Sequence, residues 1–208
     1  MNDVYVYLLD NSYELPVDFV INNLHKMPLS RQERCTRYRH ERDKINCVAS
    51  HILLLMGLKE QFNIDPPINF IYNKHGKPFL QDYPSVFFNF SHCKKGVACA
   101  LSSVEIGIDI QDIRPFDKKI AMKVCSPSEL YELERDSDIA RLFCKIWTAR
   151  ESYSKAIGVN LSTFLMNDFP KNNIIQWDWN DCCISLCAKN NNMIHSISHK
   201  FITLHSIN

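Results

Sequence analysis

The chain has 208 residues, with 24 basic against 23 acidic side chains and a formal net charge of +1. At this length about 70% of the unfolded surface can be buried, enough for one large core or two small ones. With 46% hydrophobic and 23% charged residues, the composition excludes a disordered chain, a collagen-like chain and a strongly basic nucleic-acid coat. The apolar run Ile52–Met56, extended past Gly57 to Leu58, is far shorter than the roughly 20 residues of a membrane span. Asn2 and Asp3 follow Met1 where a signal peptide needs basic residues, and Val4–Leu9 is too short for its apolar region. The nine cysteines are odd in number and contain no Cys-x-x-Cys pair. They read as reduced, partly buried thiols of a cytoplasmic protein. The group Cys182, Cys183 and Cys187, with His195 beyond it, is read the same way rather than as a metal site.

No internal repeat is present, and the charge divides evenly: 12 basic and 10 acidic side chains in residues 1–103, 12 and 13 in residues 104–208. Each half contains one long amphipathic helix flanked by strand-like runs. Val4–Leu8 reads as a strand. A long helix is expected to start at Ser30, with Glu33 completing a capping box. Its buried stripe is Cys35, Tyr38, Ile45, Val48, Ala49, Ile52, Leu55 and Met56, and Gly57 is the expected stop. Arg31, Arg34, Arg37, Arg39, Arg42 and Lys44 face only Glu33, Glu41 and Asp43 in this stretch. This net positive segment suits a phosphate ligand, a nucleic acid or a solvated helix face. The near-neutral chain argues against nucleic acid.

Ile68–Tyr72 reads as a strand and Asn73–Pro78 as a turn, in which Gly76 permits close backbone approach beside Lys77. Val86–His92 and Val97–Leu101 read as two further strands. Ser91 and His92 are adjacent on a strand, so they point to opposite faces and cannot easily form a catalytic dyad. Phosphate binding at the strand end fits them better. Ile106–Gln111 alternates, with Gly107, Asp109 and Gln111 on one face. Two oxygen donors so placed can converge on Mg²⁺; a solvent-facing edge strand is the other reading. Ser126-Pro127-Ser128-Glu129 is a helix start with a capping box. A second long helix is expected from Ile139 to Ile157, ended by Gly158. Trp147, Glu151 and Lys155, spaced by four, share one of its faces. That pair is an exposed ion pair or part of an enclosed site, and the tryptophan favours the latter. The tail, Ile174–Leu204, looks β-rich.

Taken together, Phe88-Asn89-Phe90-Ser91-His92, Gly107-Ile108-Asp109-Ile110-Gln111 and the Trp147–Lys155 helix, with Glu33-Arg34-Cys35 and Gly76-Lys77-Pro78 before them, resemble the 4′-phosphopantetheinyl transferases. The similarity is to the surfactin-synthetase-activating type and covers roughly residues 28–165. The resemblance implies an α+β fold of two similar α/β subdomains, residues 1–103 and 104–208. These would be related by a pseudo-twofold axis, each a small, mostly antiparallel sheet packed on a long helix, with the active site between them. It implies transfer of 4′-phosphopantetheine from coenzyme A to a serine of an acyl or peptidyl carrier protein, releasing 3′,5′-ADP, by a cytoplasmic monomer with no nucleic-acid or membrane partner. By matched position, Asp109, Gln111 and Glu151 would surround Mg²⁺, and Glu151 would be the candidate base. Lys155 would face the pyrophosphate. Arg31 and Arg34 would meet the nucleotide 3′-phosphate, and Gly76, Lys77, Pro78, Ser91 and His92 would complete the coenzyme A cradle. Lys118, Lys119 and Lys123 would steer an acidic carrier. Four positions depart from the family pattern: Gln111 where Glu is usual, Arg150 where Lys is usual, and Asn46 and Cys47 where basic or hydroxyl side chains are common. Another Mg²⁺-dependent pyrophosphate-cleaving enzyme, and a coenzyme A-binding protein with weakened catalysis, are the competing readings.

Overall fold

A computed structural model of the chain describes residues 3–189 and 194–207. The first half builds its sheet from β1 (Asp3–Asp10), β4 (Phe87–His92) and β5 (Gly96–Ser102), beside a short hairpin of β2 (Phe70–Tyr72) and β3 (Pro78–Leu80). The second half builds a three-stranded antiparallel sheet from β6 (Ile106–Asp112), β7 (Ile174–Trp179) and β8 (Cys182–Ala188), in the order β6-β8-β7. The last strand, β9 (Ser196–Ile202), leaves that half and pairs parallel to β1, giving the order β4-β5-β1-β9. All other strand pairs are antiparallel. The fold is thus mixed α and β, with small, mostly antiparallel sheets packed on two long helices, α3 (Glu41–Phe62) and α6 (Ile139–Ile157). Among the described residues no helix is long and apolar enough to cross a membrane.

The first long helix departs from expectation. After the short α1 (Asp18–Asn23), it is two helices, α2 (Leu29–Thr36) and α3, separated at Arg37–His40. Ser30 is not the cap: the helix starts after Pro28, whose carbonyl accepts from the Arg31 and Gln32 amides. The break lets α2 fold back so that Arg31 reaches the Cys47 carbonyl and the Ser50 hydroxyl of α3. The start of α3 has no side-chain cap; Glu41 and Asp43 in its first turn complement the helix dipole instead. Gly57 does not end the helix either. A Cβ there would stand 2.4 Å from a Leu101 methyl, so the glycine marks the closest approach of helix to sheet. The stop is Asn63, in the left-handed conformation.

In the second half the expected elements form. Ser126 and Glu129 make the capping box of α5 (Pro127–Leu133). α6 spans Ile139–Ile157 and ends on Gly158 at φ +73°. A helix not anticipated, α4 (Lys118–Val124), is capped by Asp117. One face of β6, with Ile106, Ile108 and Ile110, joins Val4, Val6 and Leu8 of β1 and Ile184 and Leu186 of β8 in a core shared by both sheets. The other face receives α6. Gly107 is where the two touch: a Cβ on it would stand 2.1 Å from the Ser152 carbonyl oxygen and 2.3 Å from the Ala156 nitrogen.

On its opposite side α6 is fixed by Arg150. This fully buried guanidinium pairs with the equally buried Glu129 carboxylate and also donates to the Phe164 and Asn167 carbonyls. Arg150 is therefore part of the core, not a cation offered to a ligand. Removing one member of such a pair strands the other without water. Glu129→Ala is expected to cost about 3–5 kcal/mol, and Gly107→Ala about 1–3 kcal/mol through overpacking against helix backbone. Urea unfolding followed by circular dichroism measures both; a midpoint unchanged in either variant contradicts the corresponding contact.

Candidate active site

A cleft of about 500 Å³ lies between residues 31–92 and 109–159. Its lining includes Arg31, Arg34, Gly76, Lys77, Pro78, Ser91, His92, Asp109, Gln111, Glu151 and Lys155. The positions singled out in the sequence therefore converge on one cavity. His75, Tyr38, Asn89 and Trp147 also line it. His75 stands in the same turn as Gly76 and Lys77, which is the only signal that could have found it.

The floor of the cleft is the open edge of β6. Its 107, 109 and 111 backbone groups face β8, leaving those of 106, 108 and 110 without a strand partner. Side chains supply the partners. Asn89 Oδ1 accepts from the Ile108 amide at 3.0 Å, and Ser91 Oγ accepts from the Ile110 amide at 3.2 Å. Lys77 Nζ donates to the Ile106 carbonyl at 3.2 Å, and Lys155 Nζ to the Ile108 carbonyl at 3.2 Å.

These contacts redefine several of the expected roles. Ser91 donates to Asp109 Oδ1 at 2.7 Å while accepting from Lys155 Nζ at 3.1 Å and from Ile110. A hydroxyl has one proton and two lone pairs, so the Ser91 side chain is fully used as a joint and has no free capacity for a phosphate. Lys155 is likewise committed, to Asp109 Oδ1 at 2.6 Å as well as to Ser91 and Ile108. It contributes a fixed positive charge rather than free donors. Lys77 is buried, and its ammonium also donates to the Ala156 carbonyl at 2.8 Å, near the C-terminus of α6, where the helix dipole favours a cation. Asn73 completes this latch: its Oδ1 accepts from the His75 and Lys77 amides, and its Nδ2 donates to the Gly158 carbonyl.

Arg31 is buried in the wall, its guanidinium 4.5 Å from the Phe90 ring centroid and 5.8 Å from that of Phe70. Arg34 lines the same cleft and is exposed. His92 stands at the end of β4; loss of water and the Lys155 charge hold its pKa below the ordinary imidazole value.

Two carboxylates, Asp109 and Glu151, also line the cleft. Asp109 is buried and has its Oδ1 turned to Ser91 and Lys155. Glu151 is half-buried. Burial raises its pKa and the Asp109 charge adds to this, while Lys155 opposes it; among the described residues no hydrogen bond to its carboxylate offsets the cost. Neighbouring carboxylates under-compensated by protein cations fit a hard divalent cation. Gln111 lines the cleft beside them. In the orientation that satisfies its amide, its oxygen accepts from Arg114 Nε and Nη2, both at 3.2 Å. Asp112 lies on the opposite face of β6 and accepts from the Lys94 and Lys95 amides.

With the geometry in place, comparison with known proteins shows what the chain is similar to. Residues 105–204 match the model of the 4′-phosphopantetheinyl transferase superfamily. The chain is 33% identical over 135 residues to the 4′-phosphopantetheinyl transferase Sfp of Bacillus subtilis, covering 64% of this chain and 60% of that protein. It is 33% identical over 145 residues to the transferase gsp of Aneurinibacillus migulanus, covering 68% and 59%. It is 30% identical over 149 residues to the L-aminoadipate-semialdehyde dehydrogenase-phosphopantetheinyl transferase of Candida glabrata, covering 67% and 57%. The matches thus span about 60% of the length of these curated relatives.

Lys77 generates a pH prediction. Burial pushes its pKa from 10.5 down to about 8. Between these values the folded chain binds fewer protons at this site than the unfolded chain, so this site's contribution to stability becomes more favourable as pH rises. The stability of the wild type relative to Lys77→Met is expected to increase from pH 8 to pH 10, by up to about 1.4 kcal/mol per unit. Urea midpoints of both proteins across that range provide the check; a flat difference places the ammonium in water.

Proposed function

We propose that this chain transfers 4′-phosphopantetheine from coenzyme A to a serine hydroxyl of an acyl or peptidyl carrier protein, releasing 3′,5′-ADP. The observation that carries the reading is the lining of one cleft, in a chain that matches this family's model over residues 105–204: paired carboxylates, an anchored ammonium and two arginines. The relatives named above as phosphopantetheinyl transferases support it. The same reading includes a monomer working in the reducing cytoplasm, in keeping with nine free cysteines.

Asp109 and Glu151 would hold Mg²⁺. Bound there, the ion would neutralise pyrophosphate charge and polarise the attacked phosphorus. Arg31 and Arg34 bind the nucleotide phosphate end, Arg31 as a rigid cation stacked between aromatic rings and Arg34 as a movable one. Lys155, held by Ile108, Ser91 and Asp109, keeps a positive charge where charge grows on the leaving phosphate. Because it is already in position, little reorganisation is needed as that charge develops. Glu151 is the candidate acceptor for the serine proton, its raised pKa bringing it closer to neutrality. The cluster Lys118, Lys119 and Lys123 on α4, beside exposed Ile120 and Met122, would steer an acidic carrier.

Intact-mass analysis of candidate carriers incubated with coenzyme A and Mg²⁺ tests the activity: a gain equal to phosphopantetheine is expected. Asp109→Ala and Glu151→Ala should each lower the rate by about a hundredfold or more while the fold is retained; full activity in either removes the metal-site assignment. Arg34→Ala should raise KM for coenzyme A by about tenfold, the loss of one charge-assisted contact, and leave that for 3′-dephospho-coenzyme A nearly unchanged. Equal effects on the two donors contradict a 3′-phosphate role.

A further inference from the structure

Outside the cleft, Cys93, Asp112 and Cys182 bring two sulfurs and a carboxylate oxygen within 4.8 Å of one another, and all three residues are buried. They come from three different places. Cys93 opens the turn between β4 and β5, Asp112 ends β6, and Cys182 begins β8. Asp112 and Cys182 are cross-strand partners, so their side chains leave the sheet on one face at one level. Cys93 meets them from the other sheet.

We propose that these three side chains form a tetrahedral zinc site whose fourth position is left to water. Two sulfurs each about 2.3 Å from one tetrahedral zinc stand about 3.8 Å apart. The Cys93 and Cys182 sulfurs are 3.7 Å apart, and Cys182 Sγ lies 3.8 Å from Asp112 Oδ1. The supporting shell is already present. The Lys94 and Lys95 amides fix the Asp112 carboxylate at 3.2 and 3.1 Å, and the Arg114 guanidinium approaches it at 3.4 Å. Outer partners of this kind orient a ligating carboxylate and tune its basicity. Binding releases the two thiol protons to solvent. The ligands then carry three negative charges against two on the ion, and the Arg114 charge offsets the remainder. Soft thiolates select zinc here over the Mg²⁺ expected at the oxygen donors of the cleft. The site pins the β4–β5 turn, and with it His92, to the sheet that carries Asp109.

The full chain, expressed and purified under reducing conditions without chelator, should contain about one zinc per molecule by mass spectrometry of the metal. Replacing zinc with Co²⁺ should give a thiolate-to-cobalt charge-transfer band and the intense visible bands of four-coordinate cobalt. Cys93→Ser, Cys182→Ser and Asp112→Asn should each weaken zinc binding at least about tenfold in a competitive chelator titration. Circular dichroism reports whether each variant folds. Asp109→Asn, which alters the cleft, and Cys183→Ala, beside the site, should keep the metal. A wild type that takes up neither zinc nor cobalt while its thiols are free overturns the proposal. So does zinc that is lost with Asp109→Asn but kept in Cys93→Ser, or a Cys93–Cys182 disulfide found in the protein as purified. None of these readouts depends on transferase activity.

Discussion

Everything in the cleft hangs on the unpaired edge of one strand. β6 pairs with β8 on one side only, and its other row of amides and carbonyls is buried along the floor of the cleft. Leaving a buried backbone group unpaired costs about 1–3 kcal/mol, so the edge must be satisfied. The chain does this with Asn89 and Ser91 for the amides and with Lys77 and Lys155 for the carbonyls. Each comes from a different part of the chain from β6 itself: β4, the β2–β3 turn and α6. Satisfying the edge therefore assembles the site. The same bonds that close the backbone account bring the first half, the strand and the second long helix into fixed register.

The helix that carries Glu151 and Lys155 is fixed from both sides. Gly107 allows its backbone to lie directly on β6, and the Arg150–Glu129 pair holds its far side. Residues 150 and 151 are about 100° apart around the helix axis. The buried ion pair behind the helix thus sets the rotation of the carboxylate in front. A buried pair adds little net stability compared with an apolar filling. Here it defines one rotational setting, because the Arg150 guanidinium must meet Glu129 and the Phe164 and Asn167 carbonyls together.

Much of this was legible in the sequence, because local chemistry and tertiary context agree there. The alternation of Ile106–Gln111, the capping box at Ser126 and the glycine after Ile157 all specify structure within a few residues, and each formed. The spacing of Trp147, Glu151 and Lys155 likewise placed one face on the cleft. The first half was less legible. Continuous apolar spacing from Cys35 to Met56 hid the break at Arg37–His40, which goes with the packing of Arg31 back onto α3 and has no local signal. Gly57 carried the local signal of a stop, but helix–sheet proximity explains it. The partners of Ser91 and Lys77 were out of reach for the same reason: a hydroxyl or ammonium reads as ligand-binding until the backbone edge it serves is known. That β9 crosses back to β1 follows from no local pattern.

The glutamine at 111 acquires a physical reason from the same network. Arg114 lies between Gln111 and Asp112, donating to the amide oxygen of one and the carboxylate of the other. A glutamate at 111 would draw the guanidinium into a charge-assisted pair and away from Asp112. The amide holds Arg114 more weakly, so the guanidinium can serve the Asp112 carboxylate on the opposite face of the strand. The third negative charge is thus missing from the cleft face of β6, and a buried carboxylate stands instead on the face turned to Cys93 and Cys182. Alternation along a single strand separates the two environments: odd positions address the cleft, even positions the space between the sheets. Arg114, just past the end of the strand, contacts one residue of each set, Gln111 and Asp112.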